Sequence, residues 1–112
     1  MVIVQHKIAD RLLGHHFTAM CIWPFLFVRT GVDLVKERHI LNHELIHARQ
    51  QREMLWLFFF LWYGVEYMLR LVQHRNRQQA YRALAHEREA SVFEDTPDYL
   101  VNRMAFAWIK YL

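Results

Sequence analysis

The sequence is poor in the residues that define several protein classes. It has one cysteine, Cys21, which excludes an internal disulfide framework and a zinc site built from cysteine alone. Only three glycines and two prolines occur among 112 residues, and we find no low-complexity tract, internal repeat or linker. A disordered or collagen-like chain is therefore excluded. The length predicts one small domain over residues 1–112.

The chain also has only a small excess of positive charge. Fourteen Lys and Arg against 11 Asp and Glu give a net charge of +3, which suits an anionic membrane surface as well as nucleic acid. The arginine-rich stretch 70–88 carries no recognised nucleic-acid-binding motif, so no nucleic-acid partner is expected. Residues 1–14 lack the features of a signal peptide. We therefore expect a cytoplasmic protein or one at the cytoplasmic face of a membrane.

Hydrophobic residues, in contrast, make up 54% of the chain. Their pattern predicts a mostly helical α+β domain with a small N-terminal β element. Strands are predicted at residues 2–5 and 22–28, and Pro24 places the second at an edge or a bulge. Helices are predicted from Leu34, capped by Asp33, into the 50s, then over 54–72 with a break near Gly64, over 80–95 and over 99–112.

Eight histidines are the unusual part of the composition, because histidine is the commonest metal ligand. Residues 43–47 read His-Glu-Leu-Ile-His, an H-E-x-x-H motif inside a predicted helix. The spacing puts His43 and His47 on one helix face, where both can bind one zinc ion. Glu44 is rotated by about 100° from His43 and can act as a general base without being a ligand. About 0.03 such motifs are expected by chance in this composition.

A catalytic zinc needs a third protein ligand. The downstream candidates are Glu53, Glu66, His74, His86, Glu87 and Glu89. Glu87 is preferred, because a helical wheel over residues 80–94 places it in the middle of a small apolar face, with Arg82, His86 and Glu89 roughly opposite. A carboxylate on an inward face needs a partner, and a metal ion would supply one.

The second predicted helix reads Glu-Arg-Glu-Ala-Ser over residues 87–91. Together with the H-E-x-x-H motif, this resembles the gluzincin group of zinc metallopeptidases, whose second ligand-bearing helix carries E-x-x-[AS]-D. The resemblance covers about residues 22–95, and minigluzincins show that a chain of this order can hold such a site. Ser91 stands where the pattern has aspartate, which leaves Glu94 or Asp95 to support a ligand histidine.

The resemblance implies zinc held by His43, His47 and Glu87, and peptide hydrolysis as the activity. Glu44 would deprotonate a water molecule for attack on the peptide carbonyl and then pass the proton to the leaving amine. It also implies a peptide or protein substrate bound along an edge strand, for which residues 22–28 are the candidate. The oxyanion donor would be one of four side chains: Tyr81, Arg82, His86 or Tyr99.

Two alternatives use the same residues. A non-catalytic zinc-binding, membrane-associated interaction module would have no need of a base at Glu44, so the presence of that residue favours the enzyme. A latent peptidase would carry its C-terminal tail, residues 108–112, over the cleft.

The apolar segment 54–72 conflicts with a simple helical hairpin. One straight helix through it would hold His47 about 40 Å from the following turn, while Glu87 would return by only about 15 Å. The chain must therefore turn near residue 67 or bend sharply within 53–64. The alternative third ligand, Glu66, would need a tight return within 54–63, which contains no Gly, Pro or Asn. Its other interpretation is an ion pair with Arg70, one turn later.

The same segment bears on membranes. A single span would place His47 and Glu87 on opposite sides, so we expect a monotopic or shallowly inserted protein. The aromatic run 56–63 is more than a chain of this size can cover. Its surplus face is expected to meet lipid or another copy of the chain. A membrane surface and a homo-oligomer are therefore both candidate partners, and flanking arginines suit anionic headgroups.

Overall fold

A small sheet near the N-terminus and a set of helices after it make up the computed structural model, which describes residues 2–112. The predicted class is confirmed. The elements follow the order β1 (Val2–Val4), α1 (Lys7–Leu13), β2 (Ala19–Ile22), β3 (Phe25–Val28), α2 (Arg38–Glu53), α3 (Leu57–His74), α4 (Arg77–Ala83), α5 (Ala85–Phe93), α6 (Tyr99–Asn102) and a 3₁₀ helix (Ala107–Tyr111).

The sheet has the strand order β1-β3-β2, with β1 parallel and β2 antiparallel to β3. The predicted strand over 22–28 is wrong in two respects. Pro24 lies in the turn between β2 and β3, because proline has no N–H to donate to a strand pair. β3 is the central strand rather than an edge, and β2 is the edge that faces α2.

The sheet packs on α2 through a core that contains Cys21, Leu26, Val28 and Ala48. Cys21 is thus a small buried side chain, and burial raises the pKa of its thiol to about 12. The Gln51 side chain fixes the helix to the edge of β2. Its Nε2 donates to the Cys21 carbonyl at 2.8 Å, and its Oε1 accepts from the Trp23 N–H at 2.7 Å.

α2 begins four residues later than the sequence predicts. Asp33 does accept a hydrogen bond from the Val35 N–H at 3.0 Å, but it closes a turn that precedes the helix. The unpredicted helix α1 has an unusual cap, since the His6 ring accepts the Ile8 N–H. Histidine is not among the residues that usually signal a helix start, which explains why the pattern missed it.

The sharp bend that the metal geometry requires lies between α2 and α3. The two helices are bent by 111° across a break at residues 54–56. Leu55 and Trp56 have φ values of 54° and 60°. The Leu57 N–H donates to the Leu55 carbonyl at 2.5 Å, so Trp56 is the central residue of a γ-turn. This conformation is costly for residues other than glycine, and no sequence signal marks it.

α3 then runs without interruption through Gly64, and the predicted break there is wrong. Within residues 2–112, no single helix is long and apolar enough to cross a membrane; α2 and α3 reach that threshold only when taken together across their bend.

We expect Gly64→Ala to stabilise the protein by about 1 kcal/mol, because glycine lowers the stability of a helix interior by roughly that amount. A Cβ at Gly64 would meet no atom within 4 Å. Gly31→Ala is the matched control: its Cβ would also meet nothing, but its φ is +88°, so we expect a loss of stability of about 1 kcal/mol. Urea unfolding measures both changes, and a loss at Gly64 would contradict a continuous α3.

The predicted helix over 80–95 is divided at Leu84 into α4 and α5. Glu66 reaches this division from α3, and both of its carboxylate oxygens lie 3.2 Å from the Ala85 N–H. Its predicted ion pair with Arg70 is also present, at 3.3 Å. Glu66 therefore anchors the start of α5, the helix that carries Glu87. The helix predicted over 99–112 is replaced by α6 and the 3₁₀ helix.

Candidate metal centre

Three side chains converge between α2 and α5: His43, His47 and Glu87. The two Nε2 atoms lie 3.2 Å apart, and the Glu87 carboxylate lies 3.2 Å from His43 Nε2 and 3.0 Å from His47 Nε2. Ligands placed tetrahedrally around zinc at its usual bond lengths lie about 3.3 Å from one another. The three groups therefore form a triangle close to this size, in which His43 contacts Oε2 of Glu87 and His47 contacts Oε1, and single ligand atoms of all three residues lie within 4.8 Å of one another. The structure brings together every residue predicted as a ligand.

The orientation of both imidazoles is set by their other ring nitrogen. His43 Nδ1 donates to Glu94 Oε2 at 2.7 Å, and His47 Nδ1 donates to Gln50 Oε1 at 2.8 Å. Once the rings lose the proton on Nε2, the proton on Nδ1 stays and each Nε2 presents a lone pair to the shared centre. Glu94, rather than Asp95, therefore occupies the supporting position that Ser91 leaves unfilled in the gluzincin pattern.

The charges of the three groups are coupled. Burial by itself would lower the pKa of His47, but the charge and hydrogen bond of Glu87 outweigh it and raise the pKa to about 9. Burial also acts to lower the pKa of His43, and Glu87 again gives a net increase. Burial would raise the pKa of Glu87, yet the histidines hold it well below its usual range. Binding of a metal cation here would therefore release protons.

Glu44 lies beside the triangle but is not one of its corners. It is 8% exposed, and burial raises the pKa of its carboxyl. The backbone N–H of Cys21 on β2 and the charges of His43 and His47 act in the opposite direction. Glu44 therefore lies between β2 and the three converging side chains.

Two tyrosines line the Glu87 side of the site. The Tyr63 hydroxyl donates to Glu87 Oε1 at 3.2 Å, and proximity to Glu87 contributes to the raised pKa values of Tyr63 and Tyr81, after burial as the main cause. Tyr81 also packs edge-on against Phe17, with ring centroids 5.8 Å apart. Both phenols are therefore neutral hydrogen-bond donors at the site.

Of the four predicted oxyanion donors, only Tyr81 is placed at the site. Arg82 is exposed. His86 stacks on Trp108 with centroids 4.3 Å apart, and the Tyr99 hydroxyl donates to Glu89. The sequence alone does not single out Tyr63, because this residue ends an aromatic run that is assigned to the core and to a surface for lipid or another copy of the chain.

A buried polar network extends outward from His47. Gln50 Nε2 donates to Glu89 Oε1 at 2.9 Å. Glu89 in turn pairs with Arg103 at 2.5 Å, and Arg103 pairs with Glu53 through two hydrogen bonds of 2.9 and 2.7 Å. The helical wheel predicts Glu89 and His86 on the side of the helix opposite the apolar face. Both are fully buried, because the C-terminal residues cover that side of α5.

Two further predictions are corrected by the position of neighbouring segments. The substrate strand beside α2 would be β2 rather than residues 22–28, and Gln51 already occupies its edge at Cys21 and Trp23. The C-terminal tail packs on α5, where Trp108 contacts His86 and Trp62. This placement differs from the predicted cover over the cleft.

Gln50 and Gln51 could have been recognised from the sequence. They follow His47 by three and four residues, which places them on the inner face of the same helix. Two polar residues at such positions need buried partners. For Arg103, by contrast, the sequence carries no comparable sign that the side chain is buried.

Comparison of the chain with protein-family models, curated proteins and solved structures finds no match. The geometry of the residues themselves therefore carries the functional argument.

Proposed function

We propose that the protein is a zinc-dependent peptide hydrolase with His43, His47 and Glu87 as the metal ligands. The observation that carries the proposal is the convergence of the two Nε2 atoms, 3.2 Å apart, on the Glu87 carboxylate, whose Oε2 lies 3.2 Å from His43 and whose Oε1 lies 3.0 Å from His47. Three protein ligands and one open side are typical of catalytic rather than structural zinc sites. The side chain of His43 is 17% exposed, against 7% for His47 and 6% for Glu87, so the open side lies at His43.

Zinc at this position would supply a Lewis acid that polarises a peptide carbonyl and acidifies a water molecule. Glu44 takes the proton from that water and returns it to the leaving amine. Glu94 and Gln50 hold the imidazoles in the ligating tautomer. Tyr81 is the donor available to the developing oxyanion, because the Tyr63 hydroxyl already donates to Glu87. A peptide substrate would pair with the part of the β2 edge that precedes Cys21, because Gln51 occupies the rest.

We also propose that the protein works at the cytoplasmic face of a membrane, as a peripheral protein. The support is the large number of apolar side chains that the fold leaves exposed, most of them on α3 and in the C-terminal segment.

Zinc content tests the metal site directly. We expect about one zinc per chain in the purified wild-type protein, and a quenched-fluorescent peptide library to be cleaved in a reaction that a chelator abolishes and added zinc restores. Glu87→Gln should weaken zinc binding by about a hundred-fold or more, since it removes a charged ligand. Glu66→Gln is the matched control, with a buried glutamate on the neighbouring helix, and should retain zinc.

The reverse result, with zinc weakened in Glu66→Gln and kept in Glu87→Gln, would overturn the ligand assignment. A wild-type protein that binds no zinc when zinc is supplied would overturn the peptidase proposal. Zinc bound without any cleavage of the library would leave the non-catalytic zinc module.

A further inference from the structure

The two faces of α3 have opposite surroundings. On the inner face, Phe59 and Glu66 are 3% and 5% exposed, and Tyr63 between them contacts Glu87. The outer face consists of apolar side chains that are each more than half exposed: Phe58, Leu61, Val65, Met68, Leu69 and Val72. Their spacing of three and four residues makes them one continuous stripe along the helix. A stripe of this kind marks an interaction surface rather than ordinary exposed residues.

A basic cleft lies at the C-terminal end of α3, on the side of the helix that carries Glu66. It is open to solvent, and its lining residues are Arg70, His74, Gln79, Arg82, Ala83 and Arg88. None of these is acidic. Arg70 is paired with Glu66 at 3.3 Å, so the positive charge of the cleft that is complementary to an anion comes mainly from Arg82 and Arg88. Arginine is well suited to phosphate because its guanidinium can donate two parallel hydrogen bonds.

Arg70 also borders a second, narrower groove. This groove is formed mainly by apolar side chains, including Trp62, Val65, Leu69 and Leu112. A cationic cleft that continues into an apolar groove fits a molecule with a phosphate at one end and a hydrocarbon chain at the other.

We propose that the outer face of α3 and the basic cleft together form the docking site for an anionic phospholipid bilayer. α3 would lie in the plane of the interface, with its apolar stripe among the acyl chains and with the exposed side chains of Arg82 and Arg88 reaching the headgroup phosphates. This inference rests on the peripheral membrane location proposed above, and it does not depend on the hydrolysis chemistry.

A second copy of the chain fits this surface less well. A twofold dimer brings the same patch of both subunits together. Two basic cleft regions would then approach each other without acidic partners, which opposes association. The bilayer surface, in contrast, supplies negative charge next to an apolar layer.

This placement has a consequence for the proposed metal centre. Tyr63 on the inner face of α3 contacts Glu87, while the stripe lies on the opposite face of the same helix. The metal ligands would therefore lie about one helix diameter, 10–12 Å, from the docking surface. Peptide segments close to the bilayer would be within reach.

Sedimentation with lipid vesicles tests the proposal. We expect wild-type protein to bind vesicles of phosphatidylglycerol and phosphatidylcholine, and to bind much less to phosphatidylcholine alone. Leu61→Glu should weaken binding by more than ten-fold, and Arg82→Gln by about five-fold, the effect of one arginine near an anionic surface. Two matched controls should bind like wild type: Val35→Glu, an exposed valine, and Arg38→Gln, an exposed arginine, both near the start of α2.

Each other result would overturn the proposal in a distinguishable way. Binding that neither Leu61→Glu nor Arg82→Gln weakens would move the docking site elsewhere and keep the membrane location. If wild-type protein binds neither kind of vesicle, both the docking site and the membrane location are ruled out. A solution dimer that Leu61→Glu dissociates would assign the stripe to a second copy. Zinc content, measured on the same samples, separates all of these from a failure of the metal site.

Discussion

Replacing Glu44 by glutamine is expected to keep zinc bound and to reduce peptide hydrolysis by about 10²–10⁴-fold, the contribution of a well-placed general base. Zinc should stay because Glu44 is not one of the three ligands that form the triangle. Hydrolysis should be lost because the amide cannot accept the proton of the water. The fold should tolerate the change, since glutamine has the same shape and a buried carboxylate whose pKa is raised gains little from its charge.

Glu94→Gln is the control for this experiment, because Glu94 accepts the Nδ1 proton of His43 and does not belong to the ligand set. We expect its zinc affinity to fall by 10–100-fold, with turnover per bound zinc nearly unchanged. Glu44→Gln should therefore keep its zinc affinity and lose kcat, whereas Glu94→Gln should lose zinc affinity and keep kcat. Unchanged turnover in Glu44→Gln would remove Glu44 from the chemistry.

The second large effect is expected at Arg103. Arg103→Met should reduce the free energy of unfolding by about 3–5 kcal/mol, the cost of leaving a buried ionic partner uncompensated. The side chains of Arg103 and Glu89 are 1% and 0% exposed, and Glu53, the other partner, is 10% exposed. Urea unfolding in chelator and again in excess zinc should show the loss in both conditions.

A double variant separates the ion pair from general damage to packing. Adding Glu89→Gln to Arg103→Met removes the stranded charge, so we expect the double variant to be more stable than Arg103→Met alone. Arg82→Gln, at an exposed arginine, should change stability by less than about 0.5 kcal/mol. Destabilisation that simply adds in the double variant would show that Glu89 does not depend on Arg103.

The fold class followed from the sequence because hydrophobic periodicity is local. The same pattern could not locate the turns. The break at 54–56 contains no Gly, Pro or Asn, and Leu55 and Trp56 adopt positive φ values that their own preferences oppose. Contacts distant in sequence oppose this local preference, such as the pairing of Glu53 with Arg103 directly before the break. Tertiary packing therefore decides where the chain turns. Local propensity alone predicts a break near Gly64 instead.

The site was easier to predict than the turns. The H-E-x-x-H spacing fixes His43 and His47 by helical geometry alone, and the wheel selected Glu87 for its small neighbours. The helical wheel failed for Glu89 because it assumes that the polar side of a helix faces solvent. In the structure, residues 99–111 cover that side of α5. Tyr63 and Arg103 reach their partners from 24 and 14 residues away, across turns that no pattern located.

The position of Arg103 in the chain also sets an order of events during synthesis. His43 and His47 leave the ribosome first, Glu87 follows, and Arg103 comes 16 residues later, as its number shows. At 5–20 residues per second, this interval lasts about one to three seconds. During it the nascent chain holds Glu53 and Glu89 without their counter-charge, so α5 is held at its start by Glu66 but not yet by the ion pair with Arg103. This buried ion pair therefore forms only after Glu87 and Glu89 have both been synthesised.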